Sequence, residues 1–127
     1  MKNKTLAFML ALLVIWALTT AAFALQAATR IRFARGKSAA AVKGVVGKYG
    51  KKDYVVGASK SQVLTASVSS SCESVTLEVI DKGTGQTLTE SPVTEYSDEI
   101  SGTGDFILRV QNSDLPACKF TLNVGIE

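Results

Sequence analysis

The chain has 127 residues, with 14 Lys or Arg, 11 Asp or Glu and no His, for a formal charge of +3. This length allows a single domain with a modest core. The absence of His removes the commonest general base, the Ser-His and Cys-His nucleophile systems and most zinc sites, and the small net charge gives no argument for nucleic acid.

Lys2 and Lys4 precede an uncharged apolar run from Leu6 to Leu18. The run fits the core of a secretory signal and is short for a membrane span, which needs about 20 apolar residues. Thr19-Thr20 and the small-x-small pattern Ala22-Phe23-Ala24 follow, so cleavage is expected after Ala24, with Ala27 and Ala28 as other positions. An uncleaved anchor running on through Leu25 is the alternative. No cysteine follows the apolar core to carry a lipid. Residues 1–24 are therefore read as a signal peptide and residues 25–127 as one exported domain, periplasmic or secreted, with no membrane span after cleavage. Loss of Lys2 and Lys4 lowers the net charge from +3 to +1.

The rest of the chain reads as strands. Arg30 to Ala34 alternates Ile31 and Phe33 with polar or small residues, and Ala41 to Val46 follows, interrupted by Gly44. Tyr54-Val55-Val56 and Val63 to Val68 come next. Val75, Leu77 and Val79 share one face, as do Phe106, Leu108 and Val110, and then Phe120, Leu122 and Val124. A period of two marks half-buried strands. Turn signals separate them at Arg35-Gly36-Lys37-Ser38, Lys48 to Lys52, Lys82 to Gly85, Gly102-Thr103-Gly104 and Asn112 to Pro116. Residues 85–101 are polar and acidic, and read as one or two edge strands or a functional loop. Short strands at regular spacing predict an all-β fold, either a sandwich or a barrel.

Cys72 and Cys118 are an even pair in an exported chain, which favours a disulfide over two free thiols. Closing their 46-residue separation stabilises the fold by about 4 kcal/mol in the chain-entropy model. Nine Lys or Arg fall between Arg30 and Lys60 against Asp53 alone, while residues 73–114 carry nine acids against Lys82 and Arg109. This asymmetry marks either a surface for charged partners or strands that neutralise each other across the sheets.

Catalytic signatures are missing. There is no GxSxG, P-loop or Rossmann fingerprint. The acids Asp98, Glu99 and Asp105 offer a weak route to glycoside or calcium chemistry, against the plainer reading of a solvated loop. The single Trp, Trp16, lies in the signal, leaving Tyr49, Tyr54 and Tyr96 for any stacking role. The residues point to a binding or structural module with no cofactor and no metal, not to an enzyme.

Ile31-Arg32-Phe33-Ala34-Arg35-Gly36-Lys37-Ser38, Val42 to Gly47, Asp53-Tyr54-Val55-Val56, Ala58 to Leu64, Gly102 to Val110 and Phe120 to Val124, in that order, resemble the periplasmic inhibitors of goose-type lysozyme. They also resemble the wider set of bacterial pre-peptidase C-terminal modules. The resemblance implies a small, jelly-roll-like antiparallel β-sandwich of about eight strands, and a protein that occludes the substrate cleft of a goose-type lysozyme. Tyr49 falls at the family's turn tyrosine and Arg109 at its Leu-Arg-Val arginine, so both are expected at the partner, with Lys48, Lys51 and Lys52 beside them. A guanidinium suits a cleft carboxylate because it binds bidentately, and a Tyr adds contact area at little entropic cost. The alternative is a cell-envelope module that contacts glycan or a protein partner without inhibiting lysozyme. It is motivated by the short Gln111 to Lys119 connection, which carries only Lys119 as a base. Oligomeric state is left open.

Overall fold

The computed structural model describes residues 28–127, and the signal-peptide reading lies outside them. Eight strands form: β1 (Thr29–Arg30), β2 (Ala39–Val46), β3 (Lys51–Ala58), β4 (Val63–Ser70), β5 (Val75–Asp81), β6 (Glu95–Glu99), β7 (Gly104–Asn112) and β8 (Cys118–Ile126). They make two four-stranded sheets in the orders β1-β3-β7-β5 and β2-β8-β4-β6. All pairs are antiparallel except β1 with β3.

Successive strands alternate between the sheets throughout the described residues, so no two consecutive strands pair with each other. The architecture is the expected all-β, jelly-roll-like sandwich. The period-two pattern acts here as predicted. Tyr54 and Val56, Leu77 and Val79, Leu108 and Val110 face inward from one sheet, and Leu64, Phe120, Leu122 and Val124 from the other. Leu64, Leu77, Leu108 and Leu122 are fully buried, each contributing roughly 1.5–3 kcal/mol through removal of apolar surface from water. Gly44 faces this core for a steric reason: a Cβ there would stand 2.8 Å from Phe120 Cζ. Its absence admits the Phe120 ring, which meets Tyr54 edge-on at 6.3 Å between centroids.

Two expected elements differ. The first strand shrinks from Arg30–Ala34 to Thr29–Arg30, because the chain must leave the ladder to reach the other sheet. Ile31 N–H still donates to Val55 O at 2.8 Å, and Ile31 and Phe33 still pack on the core. Residues 85–101 yield one strand, β6, and a covering segment. Thr87 and Val93 bridge to Ile80 and Leu77 of β5, and Leu88 N–H donates to Val79 O at 2.7 Å, so the margin of β5 is satisfied.

Cys72 and Cys118 form a disulfide with a Cα–Cα distance of 6.1 Å. They continue the β4–β8 register by one more inward-facing position beyond Ser70–Phe120, sealing one end of the core. No helix among the described residues is long and apolar enough to cross a membrane.

Candidate partner-binding site

The end of the sandwich sealed by the disulfide is organised by a residue that sequence reading passed over. Asn112 closes β7 and is the one buried polar side chain among the described residues. Its Nδ2 donates to Pro116 O at 2.7 Å and to Gly47 O at 3.2 Å, and its Oδ1 accepts from Ser74 Oγ at 2.8 Å and Asp114 N–H at 3.1 Å. Its backbone N–H donates to Gly50 O at 2.9 Å. One amide thus ties together the β2–β3 turn, the β4–β5 connection and the β7–β8 connection. Its position before Ser113-Asp114 looked like a turn signal only. A fully bonded buried amide is worth more to a unique geometry than that.

Tyr49 projects from the turn so fixed. Its backbone lies in the left-handed region at φ 47°, which a non-glycine residue seldom adopts, and its N–H donates to Asp114 O at 3.1 Å. The side chain is 63% exposed, and the other large exposed apolar residues among those described are Leu115 at 55% and Val45 at 51%. All three lie at this end: Val45 on the last turnward stretch of β2, Leu115 on the β7–β8 connection that bonds Tyr49. Beside them a recess of about 360 Å³ is bounded by Thr29, Val45, Gly47, Lys52 and Asp53.

Lys48 is exposed next to Tyr49. Lys51 and Lys52, read from sequence as part of the turn, instead open β3. Lys51 shares the outer face of its sheet with Asp53 and stands opposite Gln111, while Lys52 has the inward parity of Tyr54 yet remains exposed at the sandwich margin. Arg109 stands opposite Asp53, one ladder step along the same outer face, so it is a diagonal neighbour of Lys51. The structure therefore gathers the predicted residues at one corner, with Tyr49 at the tip and Arg109 on the adjoining sheet face.

Arg109 is engaged. Its Nε and Nη2 donate to Asp53 Oδ1 and Oδ2 at 2.9 and 3.1 Å, a bidentate pair with both side chains about a quarter exposed. That hydrogen bond, with the nearby charges of Asp53 and Glu78, holds the guanidinium pKa above its ordinary value against the opposing effect of burial. Nη1 has no partner among the described residues, so the guanidinium keeps donors to offer. Glu78 on the next strand is occupied by Gln111 Nε2 and Thr87 Oγ1.

The three acids considered for chemistry do not converge. Asp105 lies on β7, in the other sheet from Asp98 and Glu99, and is ion-paired to Arg30 at 2.7 Å. Asp98 accepts the Glu99 backbone N–H at 2.8 Å.

No protein-family model and no curated protein sequence matches the chain. Solved structures do share its fold. A periplasmic lysozyme inhibitor of g-type lysozyme from Aeromonas hydrophila, PliG, superposes with a TM-score of 0.70 at 16% identity, covering 79% of this chain and 96% of that one. The Salmonella Typhimurium PliG gives 0.62 at 21% identity, over 78% and 96%. The pre-peptidase C-terminal domain of a Bacillus anthracis collagenase gives 0.56 at 14% identity, over 80% and 95%. The likeness is one of fold, and it spans both groups that the sequence resembles.

Proposed function

We propose that this protein is an exported inhibitor of a goose-type lysozyme, which it blocks by seating the Tyr49 turn in the substrate cleft. The observation that supports this best is the placement of the exposed apolar residues. Tyr49, Leu115 and Val45 share one end of a sandwich whose fold is that of lysozyme inhibitors, and the turn that carries Tyr49 is held by Asn112 and by the neighbouring disulfide. A rigid aromatic tip flanked by Lys48 and Lys51 suits a cleft lined by carboxylates, because little conformational entropy is lost on docking. Arg109 adds directed donors on the adjoining face. The mechanism is occlusion, so no covalent step is involved.

The test is inhibition of a goose-type lysozyme in a cell-lysis assay with purified residues 25–127. Tyr49→Asn keeps a residue type that tolerates the left-handed backbone and removes the ring, so it is expected to weaken inhibition at least tenfold with the fold retained. Arg109→Ala is expected to weaken it less, since it also frees Asp53. Full lysozyme activity at micromolar wild-type protein would refute the reading.

One observation favours a second reading, the envelope-binding module. The outer face of the β2-β8-β4-β6 sheet is a shallow groove of about 820 Å³ lined by small and hydroxylated residues, with Asn123 and Glu95 among them. Such a face suits the hydroxyls of a glycan. Retention on peptidoglycan without lysozyme inhibition would select this reading.

A further inference from the structure

The four margins of the two sheets are treated differently. That of β5 is covered by residues 86–93, and β1 is only two residues long. On β6, the outward residues are Glu95, Ser97 and Glu99, and the Glu99 N–H is already taken by Asp98. Among the described residues, strand β2 has none of these protections along its eight residues.

The phase of its ladder fixes which groups are open. Ile126 N–H donates to Ser38 O at 2.8 Å, so Ser38, Ala40, Val42 and Gly44 turn their backbone groups to β8. Ala39, Ala41, Lys43 and Val45 turn theirs away, and these make no hydrogen bond among the described residues. The same four side chains are exposed, and three are small or apolar. A regular row of unpaired donors and acceptors is a template for another strand.

Charge says which strand. Lys37 and Lys48 flank β2 at its two ends and Lys43 sits in its middle, and none of the three is ion-paired among the described residues. A second copy paired antiparallel about Val42 would satisfy the open backbone groups, but it would bring Lys37 of each copy against the Lys48 end of the other with no acid between them. Like charges so placed disfavour it.

We propose that the β2 edge is a docking site for an extended, acidic segment of a protein partner, which adds to the sheet as a strand beside Ala39–Val46. Backbone bonds to Ala39, Ala41, Lys43 and Val45 supply the pairing, and carboxylates opposite Lys43 and the flanking lysines supply selectivity. This goes beyond the inhibitor reading and does not depend on it.

The probe is a capped peptide of alternating Glu and Val, matched to the eight residues of β2, with a Lys-Val peptide as control. The expected result, followed by NMR, is that the Glu-Val peptide slows hydrogen exchange at the Ala41, Lys43 and Val45 amides about tenfold or more, and leaves Val42 and Gly44, already bonded to β8, unchanged. Salt should weaken the effect. Ala41→Pro removes an outward N–H that the fold does not use, so it should abolish docking without unfolding the domain. If that variant does not fold, an N-methylated Glu-Val peptide makes the same test on the wild-type protein. Equal binding of the Lys-Val peptide, shifts away from β2, no binding, or self-association of the protein giving the same protection would each overturn the proposal. Because the readout is local to β2, its failure is separate from a failure to inhibit lysozyme.

Discussion

Strands β2 and β6 bound the same sheet on opposite sides, and they are built in opposite ways. Strand β2 carries Ala39, Ala41 and Val45 with a single charge, Lys43, and is flanked by Lys37 and Lys48. Strand β6 carries Glu95, Asp98 and Glu99 in five residues and spends one of those acids capping its own backbone. The other sheet repeats the polarity, with Arg30, Lys51 and Lys52 on β1 and β3 and with Glu78 and Asp81 on β5. The charge asymmetry along the chain therefore becomes an asymmetry across the molecule. Only two ion pairs cross it among the described residues, Arg109 with Asp53 and Arg30 with Asp105. Mutual neutralisation of the two halves, one of the two expectations from sequence, holds for those two pairs and not for the remaining charges. The basic flank keeps its charges available while the acidic flank is guarded against strand addition.

Both flanks hang on a common centre, and the largest expected effect comes from loosening it. Replacing Cys72 and Cys118 with Ser removes the link between β8 and the end of β4, and should cost roughly 2–5 kcal/mol. Urea unfolding with and without the bridge measures this. A change below about 1 kcal/mol would mean that the Asn112 network alone fixes that end.

A smaller effect separates the flanks themselves. Gly44→Ala places a methyl 2.8 Å from Phe120 Cζ and should destabilise by about 1–3 kcal/mol through overpacking. Ser97→Ala, on the outer face of β6, should change stability by no more than about 0.5 kcal/mol. Thermal melts of the two variants compare an edge strand that leans on the core with one that is chiefly solvated. Equal shifts would contradict the packing described for Gly44.

The smallest effect is electrostatic. Burial raises the Tyr54 hydroxyl pKa, and burial followed by the charge of Asp98 raises that of Tyr96. A raised folded-state pKa contributes stability that is full below the unfolded value, about 10 for Tyr, and is lost as pH rises through the folded value. Stability should thus decline in alkaline solution. Asp98→Asn should lower the Tyr96 titration midpoint and leave that of Tyr54 in place, as read from phenolate absorbance. Movement of both midpoints together would show that the flanks are electrically coupled.

Much of the fold was legible because strand alternation is written locally. The inward residues of β4, β5, β7 and β8 follow from period two alone, and so does the outward parity of Arg109. The Asn112 hub was not legible. An Asn next to Ser-Asp has the composition of a turn, and its four side-chain bonds reach Gly47, Ser74, Asp114 and Pro116, the first two in distant segments of the chain. The bidentate Arg109–Asp53 pair was equally hidden, since it spans 56 residues of sequence.

The sequence by itself determined that this is an all-β domain, which residues its strands bury, and that Cys72 and Cys118 suit a bridge. Each of these depends on neighbours one or two residues away or on the count of a residue type. Only the tertiary structure decided which strands adjoin, because successive strands lie in different sheets and no two consecutive strands pair. That non-local pairing puts Tyr49, Leu115 and Val45 at one end and leaves β2, among the described residues, with a basic edge open along its length.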